Sequence, residues 1–445
     1  MKITSSYKVK IKHYNQIFAQ TVRLYQDAVR FFLEVCDKEW DSLEALTSMS
    51  RLALIEQLCI HTKNHPNPKY DFDVLFYKMP CYIRRSAINA ATGAYSSYCS
   101  SLKNWEENPI SRKPTLTIDR NLMPVLYQKN MFLRTGDTTA GIKIFHKNDW
   151  IWLDVELNKQ DVKYIQNHCS FKKECSPSLK KEGKRWYLVF PFEEKVQFQT
   201  PDIYNQTVCA VDLGLNHHAV CSILLSDGTV VGRKFIDFST EKDHLDKALG
   251  RLKKAQKSGA KHCTVLWKHI NDLNTEISRK TSKAVTDFAV LYNADVIVFE
   301  HLDTGGKKKG SKKQKLHLWR KQEIQKMTEH KAHTCGIRIS RICAWNTSKL
   351  AFDGSGKVER GTYLQNGIEK YNYSVCVFPS GKQHHCDLNA SYNIGARYFV
   401  REFLKTDSVM KRLPDEAKVL RYGTGTTRTL STLIRLYADI DSIAA

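Results

Sequence analysis

The stretch "TVCAVDLGL", residues 207–215, decides how this chain is read. In an extended segment Val208 and Ala210 fall on one face and Cys209 and Val211 on the other, and all four are apolar. A strand apolar on both faces is buried on both faces, as in the parallel part of an α/β sheet. Asp212 ends that run. A carboxylate at the end of a buried strand costs several kcal/mol unless it is neutralised or bound to a cation.

Two more carboxylates stand in similar places. In "VIVFEHLD" (296–303), Val296 and Val298 share a face with Glu300, while Ile297 and Phe299 point the other way. In "HHCDLNASYNIGARYFVREF" (384–403), Asp387 opens a segment with Ala390, Ile394 and Arg397 at helical spacing, and small residues at 390 and 391 let that helix approach a sheet. Each carboxylate has an ordinary alternative: Asp212 starting a turn beside Gly214, Glu300 pairing with a lysine, Asp387 capping its helix. Strand–Asp, helix, strand–Glu and Asp–helix in series point instead to convergence. Converging carboxylates repel one another, and hard divalent cations such as Mg²⁺ or Mn²⁺ relieve that. Two such ions about 4 Å apart can serve phosphodiester hydrolysis.

Composition agrees with a polyanionic partner. The chain has 445 residues, with 69 Lys and Arg against 46 Asp and Glu, a formal net charge of +23 spread along its length. Neutralising phosphates with such a surplus releases condensed counterions. At 42% hydrophobic and 26% charged it can bury a sizeable core. Its 13 cysteines are scattered, with no pair spaced as CxxC, which fits reduced thiols in a cytoplasmic protein. No apolar run reaches the ~18 residues of a membrane span, and "MKITSSYKVKIKHY" lacks an apolar signal region.

Working outward, residues 3–12 alternate like a strand, and residues 13–109 carry apolar positions at helical spacing, closed by "NPISRKP" (108–114). From about 115 to 195 the pattern turns aromatic and β-branched, as in "GIKIFHKNDWIWLDVEL", and predicts strands. The simplest arrangement pairs the N-terminal strand with these, making the helical block an insertion. "PDIYNQ" (201–206) reads as a linker; a long helical stretch then separates Asp212 from Glu300. "TGGKKKGSKKQK" (304–315) reads as a Gly/Lys-rich loop able to gate a site beside Glu300.

The three segments resemble the split RuvC nuclease motifs of the TnpB proteins and the compact type V CRISPR effectors. "VDLGL" matches the first motif, "VIVFEHLD" the second, and "DLNASYNI" the third, where the family favours D-x-N-A-A-x-N-I. "LHLWRKQEIQKMTEHKAHTCGIRI", with Lys331 and Gly336, resembles the stretch after the second motif, and "NTSK" (346–349) the lead-in to the family's zinc ribbon. The resemblance spans residues 205–400 strongly and the N-terminal half more weakly. It departs at Ser391 and Tyr392, and at the ribbon: "TSKLAFDGSGKV" has no cysteine, and "CVFPSGKQHHC" leaves Cys376, His384, His385 and Cys386 without knuckle spacing. That spacing argues against a structural zinc.

The resemblance implies a multi-domain α+β protein. A β-rich wedge domain (1–12 and 110–200) would carry an inserted helical recognition domain (13–109). An RNase H-like RuvC nuclease domain (201–345, lid loop 304–315) would follow, then a degenerate zinc-ribbon-like insertion (346–385), then the third-motif helix and tail (386–445). It implies an RNA-guided DNA endonuclease cutting next to a short flanking motif, with Asp212, Glu300 and Asp387 as catalytic metal ligands for two Mg²⁺ or Mn²⁺ ions. Guide RNA and double- or single-stranded target DNA would be the partners of a prokaryotic cytoplasmic monomer or homodimer. The alternatives are a guided repressor that no longer cuts and a guide-free RNase H-like transposase or resolvase.

Overall fold

The computed structural model describes residues 1–13, 16–109, 112–119, 121–199, 201–215, 217–301, 320–365, 367–408 and 410–444. The Gly/Lys-rich loop 304–315 lies outside the described residues. The fold is mixed α+β and multi-domain. It divides into two compact units, Lys2–Glu194 and Lys195–Ala445 together with Met1. Among the described residues no helix is long and apolar enough to cross a membrane.

The first unit holds strand β1 (Lys2–Lys10), helices α1 (Ala19–Leu43), α2 (Ser48–Cys59), α3 (Phe72–Leu75) and α4 (Cys81–Glu107), and strands β2 (Phe132–Arg134), β3 (Thr139–His146) and β4 (Asp149–Glu156). Helix α5 (Lys159–Cys169) and strands β5 (Lys173–Glu174), β6 (Ser178–Glu182) and β7 (Arg185–Lys195) complete it. β7 pairs with β1, β5 and β6, while β2, β3 and β4 form a separate antiparallel sheet. The N-terminal strand thus pairs across the helical block, as its alternation predicts. Among the described residues the block shares one core with the strands. Phe32, Ile83 and Ala87 of its helices and Ile142, Leu188 and Phe190 of the strands belong to one buried cluster. Phe18 and Trp186 meet edge-on within it, 5.3 Å between centroids.

Helix α5 lies inside a stretch whose composition predicts strands. Asn158 sets it: its side chain accepts from the backbone N–H of Gln160 and Asp161. Val162, Ile165 and Cys169 then fall on one buried face.

The second unit is built on a five-stranded sheet of β8 (Val208–Asp212), β9 (Ala219–Leu224), β10 (Val230–Ile236), β11 (Val296–His301) and β12 (Arg338–Cys343), in the order β10-β9-β8-β11-β12. β9 runs antiparallel to both β8 and β10, whereas β11 is parallel to both β8 and β12. That order and polarity is the RNase H-like arrangement. Between β10 and β11 the helical stretch is two helices, α6 (Ser239–Lys257) and α7 (Thr264–Leu291), broken around Gly259 at φ 85°.

Helix α8 (Lys321–Thr334) leads into β12, a small sheet of β13 (Glu359–Gln365), β14 (Ile368–Val377) and β15 (Gln383–His385) follows, and α9 (Cys386–Thr406), α10 (Asp415–Tyr422) and α11 (Leu430–Ala444) end the chain. The five-stranded sheet is covered on both faces, which is why its central strands read as continuous apolar runs. Cys209, Val211, Ile297 and Phe299 face Val285, Phe288, Ile324 and Ala332 of α7 and α8. Val208, Ala210, Val296 and Val298 face Tyr392, Ile394 and Ala396 of α9.

Helix α9 lies unusually close to the sheet. A Cβ at Gly395 would stand 2.8 and 2.9 Å from the methyls of Leu224 and 3.2 Å from the Cβ of Ala210. One turn earlier the hydroxyls of Ser391 and Ser222 meet at 2.5 Å, both buried. The sequence points to positions 390 and 391 for this approach; the tightest contact falls at 395.

Candidate active site

Strand register places the first two carboxylates. Val296 pairs with Val208, Val298 with Ala210 and Phe299 with Val211 across the parallel β8–β11 ladder. Asp212 and Glu300 are the next residues of the two strands, so they stand side by side at the C-terminal ends, on the face that α9 covers. Adjacent strands are only ~4.8 Å apart. Asp387 lies in the first turn of α9 and is half-buried. It does not cap the helix. His385 is the cap, its Nδ1 accepting from the Asp387 backbone N–H at 3.3 Å.

The Asp212 carboxyl senses both of the other carboxylates. Burial pushes the Asp212 carboxyl well above the usual carboxylate range, and the negative charges of Glu300 and Asp387 push it further, against Arg360. Burial also raises Glu300, opposed by the Thr347 hydroxyl, Arg397 and Lys321. A set of oxygen donors in which burial and like charge push Asp212 upward fits hard divalent cations. Asp212, Glu300 and Asp387 are the residues that would hold them.

Sequence reasoning missed what supports these carboxylates. Thr347 donates its hydroxyl to Glu300 Oε1 and also lies 3.0 Å from the Ala344 carbonyl. Gln325 donates to the Glu300 carbonyl at 2.9 Å. The loop carrying Thr347 is tied to α9 by two buried asparagines. Asn393 donates to the carbonyls of Thr347 and Leu350, and Asn389 donates to Leu350 and accepts from Phe352 N–H. Buried Arg397 spends its guanidinium on four carbonyls, those of Cys343, Trp345, Thr426 and Arg428, at 2.7–3.0 Å. Burial brings its pKa down to about 10, which leaves it charged at neutral pH. Asn389 and Asn393 stand at helical spacing with Arg397 inside the third segment, and the burial of those two asparagines is the signal that the apolar reading of that helix passed over.

Sequence reasoning also missed His217, and it reads His385 only among the ribbon residues. Among the described residues, donor atoms of His217, His385 and Asp387 lie within 4.8 Å of one another. His217 follows Asp212 by five residues in "DLGLNHH", a polar pair after a buried strand.

The ribbon-like segment has its own packing. Cys376 and Cys386 are buried, their thiols 3.2 and 3.5 Å from the carbonyls of His384 and Tyr373. Phe352 meets Phe378 and His384 edge-on beside them. Cys335 and Cys343 are exposed.

Comparison with known proteins adds a family and a fold. Residues 5–146 match the Aq_aa04 family. A relative described as the uncharacterized protein aq_aa04 of Aquifex aeolicus is 33% identical over 119 residues, 25% of this chain and 67% of the relative. The chain belongs to the Aq_aa04 family. That match lies in the first unit, and the three carboxylates belong to the second. The whole fold is similar to that of Cas12f1 in its complex with single-guide RNA and target DNA, at a TM-score of 0.51 and 17% identity over 85% of this chain and 81% of that one. The mini-RNA-guided endonuclease Cas_phi3 aligns over 88% of this chain and 92% of its own, with a TM-score of 0.44 and 10% identity.

Proposed function

We propose that this chain is an RNA-guided DNA endonuclease whose carboxylates Asp212, Glu300 and Asp387 bind two Mg²⁺ or Mn²⁺ ions. The observation that carries the reading is the register of β8 and β11, which brings Asp212 and Glu300 side by side opposite the first turn of α9. Such ions, when bound, supply acidification of the attacking water and charge neutralisation at the leaving 3′ oxygen. The chain's own residues do the rest. The Thr347 hydroxyl favours the ionised form of Glu300 against burial, and Asn389, Asn393 and Arg397 fix the loop that carries Thr347. Trp345, 70% exposed beside that loop, offers a face on which an unpaired base can stack.

The similarity of fold to Cas12f1 supports guide RNA and target DNA as partners, and the surplus of 23 positive charges suits so large a polyanion. In this reading the first unit holds the guide and its A-form heteroduplex mainly through the backbone, and reads a short flanking motif beside the target. Asp212→Ala, Glu300→Ala and Asp387→Ala test the site. Each should abolish cleavage while guided DNA binding survives. Full cleavage by any one of them removes that residue from the metal site.

A further inference from the structure

Histidines 217 and 385 meet from two segments of the second unit that are far apart in sequence. His217 lies in the loop between β8 and β9, and His385 caps α9. Their ring centroids are 5.3 Å apart, with the planes at 65°. Phe235 of β10 packs edge-on against both, at 5.2 Å from His217 and 4.9 Å from His385. An apolar neighbour thus packs against both rings, and among the described residues only His385 has a hydrogen bond besides, the long one from the Asp387 backbone.

The polar atoms of this group lack good partners. His217 Nδ1 is buried without a hydrogen bond, and its nearest acidic atom, Asp387 Oδ2, is 3.5 Å away. That is too long for an ordinary N–H···O bond. A buried polar atom left in this way costs ~1–3 kcal/mol. The capping bond of His385 is also long, 3.3 Å, so its ring can surrender that contact at small cost. His218, next in sequence, turns away towards Asp237, 3.3 Å from its Oδ1. One donor atom from each of His217, His385 and Asp387 lies within 4.8 Å of the other two, a span that one cation bridges.

The donor types then decide which cation. Mg²⁺ is bound through oxygen, whereas imidazole nitrogen suits first-row transition metals. We propose that His217, His385 and Asp387 form a mixed nitrogen–oxygen site for a first-row transition-metal dication, of the Mn²⁺ to Zn²⁺ series, adjoining the three-carboxylate site and sharing Asp387 with it. The site deepens the nuclease reading by giving it a metal preference. Its binding can be measured without nucleic acid, so the two ideas fail separately.

The test uses the untagged full chain, stripped of metal and titrated with Co²⁺ as the probe and with Mg²⁺ in parallel. Calorimetry gives affinity, and visible absorption reports the ligand field. The expected result is one Co²⁺ equivalent with a visible band. His217→Ala and His385→Ala should each weaken Co²⁺ binding by about tenfold or more, leaving Mg²⁺ affinity within about twofold. Asp212→Ala should lower Mg²⁺ affinity and leave the Co²⁺ band. Unchanged Co²⁺ affinity in both histidine variants, or equal losses for both metals, overturns the proposal. Should the alanine variants fold poorly, His217→Gln and His385→Gln take their place. Pulsed electron paramagnetic resonance of Cu²⁺, the strongest imidazole binder of the series, on the unmodified chain decides independently. Coupling to imidazole ¹⁴N supports the site, and its absence at one bound equivalent contradicts it.

Discussion

The Thr347 hydroxyl donates to the Glu300 carboxylate, and the Thr347 carbonyl is itself held at 2.9 Å by the buried side chain of Asn393. One helix therefore supplies both Asp387 and, through a loop, the orientation of Glu300. Removing the hydroxyl leaves Glu300 raised by burial with one fewer donor. A hydrogen bond to a charged group is worth ~1.5–3 kcal/mol. Thr347→Val should slow cleavage by about tenfold or more with matched-target binding unchanged. Thr347→Ser should restore it. Single-turnover cleavage beside a binding assay checks both.

Gly395 is the residue that lets α9 lie against β8 and β9. In Gly395→Ala the new methyl meets Leu224 and Ala210 at 2.8–3.2 Å. Overpacking of this kind costs ~1–3 kcal/mol, despite the better helix propensity of alanine. The midpoint of thermal unfolding of the second unit should fall by several degrees. Scanning calorimetry checks it; an unchanged or raised midpoint would show that the helix shifts outward freely.

In the first unit, Glu56 of α2 accepts from Arg84 and Arg85 of α4, each at 3.1 Å. Burial alone would raise its pKa, but the two guanidiniums outweigh burial and leave it lowered. A group with a depressed folded pKa stabilises the fold above its unfolded value, ~4.3, and loses that contribution as pH falls through the folded value. Glu56→Gln should therefore cost ~1–3 kcal/mol at neutral pH, and the gap to the parent should close below about pH 4. Urea unfolding at several pH values measures it. A gap that persists in acid would mean that glutamine fails for reasons of packing.

The spacing of "CVFPSGKQHHC" argues against a structural zinc, and the thiols of Cys376 and Cys386 spend themselves on carbonyl oxygens and on burial. Titration of the folded chain with a mercurial reagent should release no stoichiometric zinc. Release of one equivalent would place these thiols in a metal centre. The readout is specific to thiolate-bound metal and is blind to the imidazole site.

Much of this architecture is legible in the sequence because burial leaves a mark there. Val208 to Val211 and Val296 to Phe299 are apolar on both faces since helices cover both faces, and the carboxylates that end those runs stand out against them. The N-terminal strand pairs with β7 as its alternation predicts. The supporting residues leave weaker marks. Thr347 lies in a loop, and no periodicity says that it turns towards Glu300. Arg397 reads only as a position at helical spacing with Ala390 and Ile394, and nothing local says that four carbonyls from remote segments surround it. Helix α5 was hidden because its apolar positions are few and its neighbours are strands; Asn158 as a cap was the available sign. His385 took the capping role that composition assigns to Asp387, because imidazole nitrogen can also accept a backbone N–H.

The most direct test of guided cleavage is to offer the chain a target matched to its copurified RNA and a scrambled one, with and without that RNA. Salt should be ~150 mM, where exposed charges farther apart than ~8 Å are screened. The account predicts cutting of the matched target alone, and only with RNA and a divalent cation present. Equal cutting of both targets without RNA would contradict it and leave a guide-free nuclease.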